Sequence, residues 1–299
     1  MRNVATVMAP REAFRLEDSH VKAISEALAG LGAKNIDTAW LAENEAIDFF
    51  HDGDILNDHK ILGAAGLADQ PIDCVVQKAG DRQKKLMLAD MDSTIIRQEC
   101  IDEIADVLGL KDKVAAITEA AMRGELDFKA SLRERVALLE GVTRDQLQGV
   151  MDTRIDFSDG AETLVKTLKK VGTRTAIVSG GFTFFVTQVQ SALGFDHALA
   201  NLLLCHDDKV TGRLDDDIVD ADGKREFLLD LCDVMQITSN DVIAIGDGAN
   251  DIPMMTEAGL SLSYCGKPAA EEAATGRLRH VSLEGALFVL GVPRFRFAA

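Results

Sequence analysis

Apolar positions beyond residue 85 form short continuous runs, separated by segments with a helical repeat. Four of these runs predict buried strands, at residues 85–90, 174–181, 241–248 and 260–264. Between the first two lies the segment 161–172, where Leu164, Leu168 and Val171 share one helical face. Continuous apolar strands that alternate with amphipathic helices predict an α/β fold built on a doubly wound parallel sheet.

Residues 99 to about 155 interrupt this alternation directly after the first strand. The segments 99–110 and 131–141 have apolar faces and charged outer sides, which predicts helices. An insert at this point would lie above the carboxyl edge of the sheet. We therefore expect a helical cap at about 99–155 that acts as a lid over that edge.

The first 80 residues follow a different pattern. A strand, a helix and a second strand-like segment are predicted there, at residues 4–9, 20–33 and 37–50. The charged stretch at 78–86 predicts a linker. We thus expect a small α+β domain formed by residues 1–80, and a second domain, residues 81–299, that carries the cap.

Three of the predicted strands have a polar residue at their carboxyl ends, namely Asp90, Ser179 and Asp247. The carboxyl ends of parallel strands meet at one edge of a sheet, and ligands bind in the crevice there. These three residues should therefore share a site although they are far apart in the sequence.

The first strand leads into Asp90-Met91-Asp92-Ser93-Thr94. In an extended chain, residues two apart point to the same side, so the carboxylates of Asp90 and Asp92 would face one site. One carboxylate can then attack phosphorus while the other handles the proton of the leaving group. The alternative is an ordinary surface turn, since Asp, Ser and Thr are all common turn residues.

Two further features would complement an anionic group. Ser179-Gly180-Gly181 offers a hydroxyl and backbone N–H groups at a strand-to-helix turn, which together form an anion cradle. Lys224 opens a predicted helix and would add a positive charge. Taken alone, the glycines also fit an ordinary loop, and Lys224 also fits a solvated surface lysine.

The segment Gly246–Asp251 has the composition of a metal-binding loop. Its glycines allow a tight turn, and Asp247, Asn250 and Asp251 supply oxygen ligands. Magnesium is a hard cation that prefers such oxygens together with phosphate and water. The alternatives are a calcium-binding loop and a helix cap. The spacing of the acidic residues lacks the ligand pattern of an EF-hand, and this absence favours magnesium over calcium.

Composition and charge restrict the class of ligand. The 299 residues are 47% hydrophobic and 27% charged, as in globular proteins, and no apolar run reaches the roughly 18 residues of a membrane span. A net charge of −17 argues against binding to nucleic acid or anionic membranes, and an anionic substrate would need positive charge within the site. Five scattered cysteines, and an N-terminus without a long apolar stretch, predict a cytoplasmic protein.

The four motifs described above are 90–94, 179–181, Lys224 and 246–251. In their order along the chain, they resemble the motifs of the haloacid-dehalogenase-like superfamily over residues 86 to about 265. Within it, the chain is similar to the phosphoserine phosphatase family. Glu99 stands nine residues after Asp90, as the substrate glutamate of that family stands after its nucleophile. Residues 120–136 match the family's cap signature. The pocket-lining positions of that signature are Met122, Phe128 and Arg135.

The resemblance implies a magnesium-dependent phosphatase with Asp90 as nucleophile and Asp92 as general acid and base. Magnesium would be held by the Asp90 carboxylate, the Asp92 backbone carbonyl and the Asp247 carboxylate. Asp251 would orient the waters of the metal or Lys224. The remaining positions would bind the substrate or its phosphate, namely Glu99, Met122, Phe128, Arg135, Ser179, Gly180, Lys224 and Asn250.

The implied reaction is hydrolysis of O-phospho-L-serine through an aspartyl-phosphate, the last step of serine biosynthesis, since Arg135 can grip a carboxylate and Glu99 can pair with an ammonium group. Two other interpretations stay open. One is a phosphatase or phosphotransferase for another small phosphate ester, and the other is a non-catalytic amino-acid sensor, which the intact catalytic positions disfavour. Some related enzymes carry an ACT-like domain at this position. Residues 1–80 show no clear signature of one, and a regulatory or assembly role for them is a further hypothesis, as is a homodimer.

Overall fold

The computed structural model describes residues 2–122 and 125–298, and for Met122 it describes the backbone alone. The N-terminal elements are β1 (Arg2–Met8), α1 (Asp18–Gly30), β2 (Lys34–Ala42), β3 (Ala46–Asp52), α2 (Asp58–Ala64) and β4 (Asp73–Lys78). The four strands form an antiparallel sheet in the order β2-β3-β1-β4. Both helices contribute to a hydrophobic core with the residues of this sheet.

From residue 86 onward, strands and helices alternate around a helical insert. In chain order the elements are β5 (Leu86–Asp90), α3 (Cys100–Val107), α4 (Lys111–Met122), α5 (Phe128–Ala137), α6 (Arg144–Arg154), α7 (Ala161–Lys170), β6 (Arg174–Phe182), α8 (Thr183–Leu193), β7 (His197–Asn201), β8 (Leu203–His206), β9 (Lys209–Leu214), α9 (Ala221–Met235), β10 (Val242–Gly246), α10 (Ile252–Glu257), β11 (Leu260–Tyr264), α11 (Pro268–Ala273), β12 (Gly276–Leu278) and α12 (Gly285–Val289). None of the described helices combines the length and the apolar character that crossing a membrane requires.

Six of these strands form a parallel sheet in the order β12-β11-β10-β5-β6-β7, which confirms the predicted doubly wound fold. The central strand β5 is buried on both faces, because Met87 and Ala89 belong to one hydrophobic core while Leu86 and Leu88 belong to another. A continuous apolar run is what a strand covered on both sides needs. The last residue of β5, Asp90, consequently lies at the middle of the carboxyl edge.

The helices α3 to α6 follow β5 and form the predicted cap. An isolated bridge between Ile96 and Phe157 closes the base of this insert. The hairpin β8–β9, which the sequence pattern did not predict, packs against α5. Its turn places Asp207 and Asp208 at positive φ, whereas the usual signal for such a turn is Asn-Gly or Asp-Gly.

The predicted linker is exposed at most of its positions, but Arg82, Lys84 and Leu86 within it are buried. Only 8% of Arg82 is exposed, and its Nη1 lies 2.6 Å from Asp48 Oδ2 of β3. The same guanidinium donates to the carbonyl oxygens of Phe288 and Val289 in α12, at 2.7 and 3.0 Å. A buried charge must be paired and hydrogen-bonded, and here the partners come from the N-terminal sheet and from α12. Arg82 therefore joins the N-terminal sheet to the rest of the chain.

The two sheets also share apolar packing. One hydrophobic cluster contains Met8 and Val75 of the N-terminal sheet together with Met87 of the parallel sheet. The packing is continuous across the two sheets, so it does not mark a boundary between two domains. The boundaries 1–80 and 81–299 therefore stay a prediction.

Candidate active site

The chain turns sharply where β5 ends, and this turn brings two carboxylates to the edge of the sheet. Asp90 Oδ1 accepts a 2.7 Å hydrogen bond from the Met91 backbone N–H. Asp92 remains extended, and Ser93 follows with a φ of 55°. Asp92 Oδ1 accepts a 2.8 Å hydrogen bond from the backbone N–H of Cys100, the first residue of α3. The start of the cap thus holds Asp92 in place.

Lys224 extends from the first turn of α9 and lies between two carboxylates. Its Nζ is 2.8 Å from Asp90 Oδ2 and 2.7 Å from Asp251 Oδ1, and only 1% of Lys224 is exposed. Asp251 Oδ2 accepts hydrogen bonds from the backbone N–H groups of Asp247 and Gly248, at 3.1 and 3.0 Å. Asp251 therefore fixes Lys224 to the loop that follows β10.

The charges in this buried group influence one another. Burial raises the pKa of Asp90 well above its ordinary value, and the negative charge of Asp251 adds to this effect while Lys224 opposes it. Burial disfavours the charge of Lys224, but Asp90 and Asp251 outweigh that effect and raise the pKa of the ammonium group. Lys224 is therefore a cation beside Asp90 at neutral pH.

Ser179 connects the predicted anion cradle with the second carboxylate. Its Oγ donates a 2.7 Å hydrogen bond to Asp92 Oδ2 and accepts one of 2.8 Å from the Gly181 N–H. A Cβ atom on residue 181 would lie 2.9 Å from Asp92 Oδ2, so this approach requires glycine. Asn201 Nδ2 donates to the Gly180 carbonyl oxygen at 2.8 Å, which holds the backbone of the cradle.

Asp90, Asp247 and Asp251 could together hold a metal ion. One oxygen from each lies within 4.8 Å of the other two. Three carboxylates beside the two ammonium groups of Lys224 and Lys267 leave an excess of negative charge, and hard oxygen donors suit Mg²⁺. Asp90 and Asp247 belong to the cavity wall whereas Asp251 is fully buried behind it, so Asp90 and Asp247 are the better ligands. The side chain of Asp92 is not in this group. This fits the family resemblance, which implies that Asp92 would contact the metal through its backbone carbonyl alone.

A cavity of about 400 Å³ lies between the cap and this edge of the sheet. Its wall is formed by Asp90, Asp92, Glu99, Ile101, Asp102, Thr118, Phe128, Leu132, Arg135, Gly180, Gly181, Phe182, Asp247, Asn250 and Lys267. Three further predicted site residues, Ser179, Lys224 and Asp251, are buried next to wall residues to which they are bonded. The predicted pocket position Met122 lies outside the described side chains.

Glu99 and Arg135 bring opposite charges to the cavity wall. Glu99 Oε1 accepts a 2.9 Å hydrogen bond from Ser93 Oγ. Although Glu99 opens onto the cavity, burial by the surrounding protein, followed by the negative charge of Asp92, raises its pKa to about 7. Burial lowers the pKa of Arg135, while Asp102 and Glu99 oppose this shift. An arginine nevertheless stays charged in proteins, so the guanidinium can bind an anion.

Comparison with known proteins identifies the family. A family model of haloacid dehalogenase-like hydrolases matches residues 87–256, which is more than half of the chain. A phosphoserine phosphatase from Polaromonas sp. is 50% identical over 195 residues, which cover 64% of this chain and 83% of that protein. The chain belongs to the phosphoserine phosphatase family of haloacid dehalogenase-like hydrolases. The resemblance seen in the sequence motifs is confirmed.

Two solved structures resemble the chain over different lengths. A substrate-bound phosphoserine phosphatase is 39% identical with a TM-score of 0.64, and the match covers 69% of this chain and 98% of that one. A probable phosphoserine phosphatase from Vibrio cholerae, in an unliganded form, is 29% identical with a TM-score of 0.77, and the match covers 99% of this chain and 88% of that one. The second likeness includes the N-terminal antiparallel sheet.

The motifs of the phosphoserine phosphatase family did not point to every residue in the cavity wall. Lys267 lies in the loop after β11, with its Nζ 3.2 Å from Asp247 Oδ2. Its backbone N–H donates to the Asp247 carbonyl oxygen at 2.8 Å. Asp102, at the start of α3, was likewise missed. A signal for Lys267 was present in the sequence, because residues that follow a parallel strand lie at the edge where ligands bind.

Proposed function

We propose that this protein hydrolyses O-phospho-L-serine to L-serine and inorganic phosphate, with Asp90 as nucleophile and Mg²⁺ as cofactor. The observation that carries this proposal is that Asp90 and Asp92 share one cavity with Glu99 and Arg135. A phosphorylated amino acid bears a phosphate, an ammonium group and a carboxylate. The cavity offers a complementary group for each of the three.

The covalent step begins with Asp90. A carboxylate oxygen of Asp90 attacks phosphorus, the bond between phosphorus and the serine oxygen breaks, and Asp92 donates a proton to that oxygen. Serine leaves, and an aspartyl-phosphate remains. Asp92 then removes a proton from a water molecule as this water attacks phosphorus, which releases phosphate and restores the Asp90 carboxylate. One water molecule is consumed in each cycle.

Phosphoryl transfer depends on in-line positioning and on neutralisation of charge. Lys224 supports both functions, because its ammonium lies 2.8 Å from Asp90 and is fixed by Asp251. We assign it to a phosphoryl oxygen of the bound substrate. Ser179 and the Gly180 N–H would hold further phosphoryl oxygens, since they lie at the turn beside Asp92.

Asp90 and Asp247 would hold the metal through their carboxylates, with the Asp92 backbone carbonyl as a third protein ligand. Bound Mg²⁺ neutralises the charge that accumulates when an anionic nucleophile meets a phosphate. The acidic group of Asp90, Asp247 and Asp251 supports this assignment. Asp251 would orient Lys224, and Asn250 would contact the bound ligand from the cavity wall.

The amino-acid part of the substrate would be bound under the cap. Arg135 would bind the carboxylate, and Glu99 would pair with the ammonium group. Phe128 reaches from the cap to the cradle, since a Cβ atom at Gly180 would lie 3.2 Å from its ring. Together with the predicted contact from Met122, this ring would limit the size of the substrate.

All of the assigned site residues lie at or after Asp90, at the edge of the parallel sheet, in α9 or in the cap. We therefore also propose that residues 1–80 form a domain with a regulatory or assembly role, and that the enzyme acts in serine biosynthesis in the cytoplasm. The role proposed for residues 1–80 rests on the absence of assigned site residues from that part of the chain, and the place in serine biosynthesis rests on the similarity to phosphoserine phosphatases.

Phosphate release from a panel of small phosphorylated metabolites, with and without Mg²⁺, tests the proposed function. We expect O-phosphoserine to be the preferred substrate and release to require the metal. Preference for another phosphate ester would contradict the substrate assignment. Transfer to an acceptor without release of phosphate would indicate a phosphotransferase, and binding without turnover would indicate a sensor.

A further inference from the structure

Lys267 carries a cavity-facing charge for which the proposed reaction has no role. Its Nζ lies 3.2 Å from Asp247 Oδ2, on a carboxylate that belongs to the candidate metal site. Lys267 also forms part of the wall of the cavity in which phosphate would bind. The same ammonium group is thus within reach of both a metal ligand and an anion in the cavity.

The loop that carries Lys267 is fixed to the loop that carries Asp247. The Lys267 backbone N–H donates to the Asp247 carbonyl oxygen at 2.8 Å. At the preceding residue, Gly266, a Cβ atom would lie 1.9 Å from Ser263 Oγ and 3.2 Å from the Asp247 carbonyl oxygen. By contrast, 68% of the Lys267 side chain is exposed. A fixed backbone with an exposed side chain allows the ammonium to change partners while it stays at the site.

Other cations near the site are less free to change partners. Lys224 is buried between Asp90 and Asp251. Arg135 is held in the cap, where its Nε lies 3.4 Å from the Ser131 carbonyl oxygen. Among the described residues of the cavity wall, the only cations are Arg135 and Lys267.

A metal ion and the Lys267 ammonium would compete for Asp247, because both neutralise the same carboxylate. We propose, on the basis of the proposed function, that Lys267 exchanges partners, pairing with Asp247 in the metal-free protein and binding the phosphate group once Asp247 holds the metal. The Lys267 ammonium would thereby neutralise Asp247 before the metal binds. After the metal binds, it would add positive charge to the phosphate site.

The exchange predicts effects of opposite sign when the ammonium is removed. Lys267→Met retains a long side chain but removes the charge, so Mg²⁺ no longer competes with an ammonium and should bind more tightly. Phosphate should bind more weakly, because one of its cations is gone. A purely structural role would instead weaken both interactions, since damage to the loop would displace Asp247 as well.

The test measures binding of Mg²⁺ by calorimetry, and then binding of inorganic phosphate to the Mg²⁺-loaded protein. For Lys267→Met, we expect the Kd for Mg²⁺ to fall about two- to fivefold, as for loss of an exposed ion pair. The Kd for phosphate should rise about tenfold, as for loss of a charged hydrogen bond. Lys267→Arg should largely retain wild-type phosphate binding. Lys60→Met, an exposed lysine of α2, changes the net charge equally and should alter neither value.

Weaker binding of both ligands by folded Lys267→Met, or no change in either, would overturn the exchange. Thermal unfolding verifies that the variant is folded, and Lys267→Gln serves as a second neutral variant. Neither binding measurement requires turnover. If the wild-type protein releases no phosphate from O-phosphoserine but the two binding constants shift as expected, the proposed function fails while the exchange of partners stands.

Discussion

The Ser179 hydroxyl donates a 2.7 Å hydrogen bond to Asp92 Oδ2, and this bond connects the ends of two neighbouring strands, β5 and β6. Both residues are buried. The other carboxylate oxygen of Asp92 accepts the N–H of Cys100 at the start of the cap. Asp92 is thus oriented by the sheet on one side and by the cap on the other, which suits the proton transfer that we propose for it.

Replacing Ser179 by alanine should slow turnover, because it removes the bond to Asp92 and the proposed contact with a phosphoryl oxygen. A hydrogen bond to a charged group contributes about 1.5–3 kcal/mol, so kcat for O-phosphoserine should fall about tenfold to a hundredfold. Steady-state kinetics measure the effect. Ser191→Ala is the control, because this exposed residue of α8 donates to the carbonyl oxygen of Thr187 and should keep full activity when replaced. An unchanged kcat in Ser179→Ala would show that Asp92 does not depend on this bond.

Asp90→Asn should abolish turnover and leave the protein folded. Asparagine is nearly isosteric with aspartate, but its amide cannot form the acyl phosphate. Phosphate release and circular dichroism test both parts of this prediction, with Asp69→Asn as an exposed control. Normal turnover in folded Asp90→Asn, or covalent phosphate trapped on another residue, would remove Asp90 as the nucleophile.

Asp247→Ala should sharply weaken binding of Mg²⁺, because it deletes one of the two carboxylates best placed to hold the metal. Calorimetric titration with Mg²⁺ measures the loss, and Asp230→Ala, on the exposed side of α9, should bind the metal normally. In the wild-type enzyme we expect Ca²⁺ to support little activity, since its looser coordination disfavours in-line geometry. Full activity after thorough chelation, or equal rates with both ions, would be incompatible with this account.

Arg135→Ala should reduce kcat/KM for O-phosphoserine about tenfold to a hundredfold, the range for loss of a charge-assisted hydrogen bond. A generic aryl phosphate has neither a carboxylate nor an ammonium group, so it should lose much less. Arg133→Ala, an exposed neighbour on α5, is the matched control and should behave as wild type. Equal losses on both substrates would mean that Arg135 supports the fold or the metal site.

The raised pKa of Glu99 predicts a pH dependence of substrate binding. At pH values well below about 7 Glu99 is protonated and neutral, and above about 7 it is ionised and can pair with the substrate ammonium. The KM for O-phosphoserine should therefore decrease as the pH rises through about 7. Glu99→Gln should lack the part of this decrease that comes from Glu99. Ionisation of the substrate phosphate changes KM equally in the wild type and in the variant, so it does not affect their comparison. A pH profile of KM that is the same in both proteins would assign the ionisation to another group.

Much of the fold and of the candidate site could be predicted because local pattern determines it. Within the predicted strands, residues 86–89 and 242–245 are apolar without interruption, which suits a strand covered on both faces. Parallel strands place their carboxyl ends at one edge, so Asp90, Ser179 and Asp247 had to lie near one another once the strands were recognised. The helical cap followed from its position after the first strand.

Other features depend on contacts between segments that are distant in the sequence. The charged stretch with Arg82 has the composition of a solvated linker, and only the docking of the N-terminal sheet buries this guanidinium against Asp48 and the carbonyl oxygens of α12. The hairpin β8–β9 lacked the usual turn signal, since its turn residues are Asp207 and Asp208. Neither feature has a periodicity that a sequence pattern can reveal.

The sequence by itself determined which residues stand at the strand ends and therefore which chemistry the sheet edge can hold. Only the tertiary structure decided how these groups are paired: Ser179 with Asp92, Lys224 between Asp90 and Asp251, and Lys267 with Asp247. The physical reason is that local hydrophobic pattern specifies strands and helices, whereas hydrogen bonds and ion pairs depend on distances of a few ångströms. Those distances are set by the packing of the whole chain.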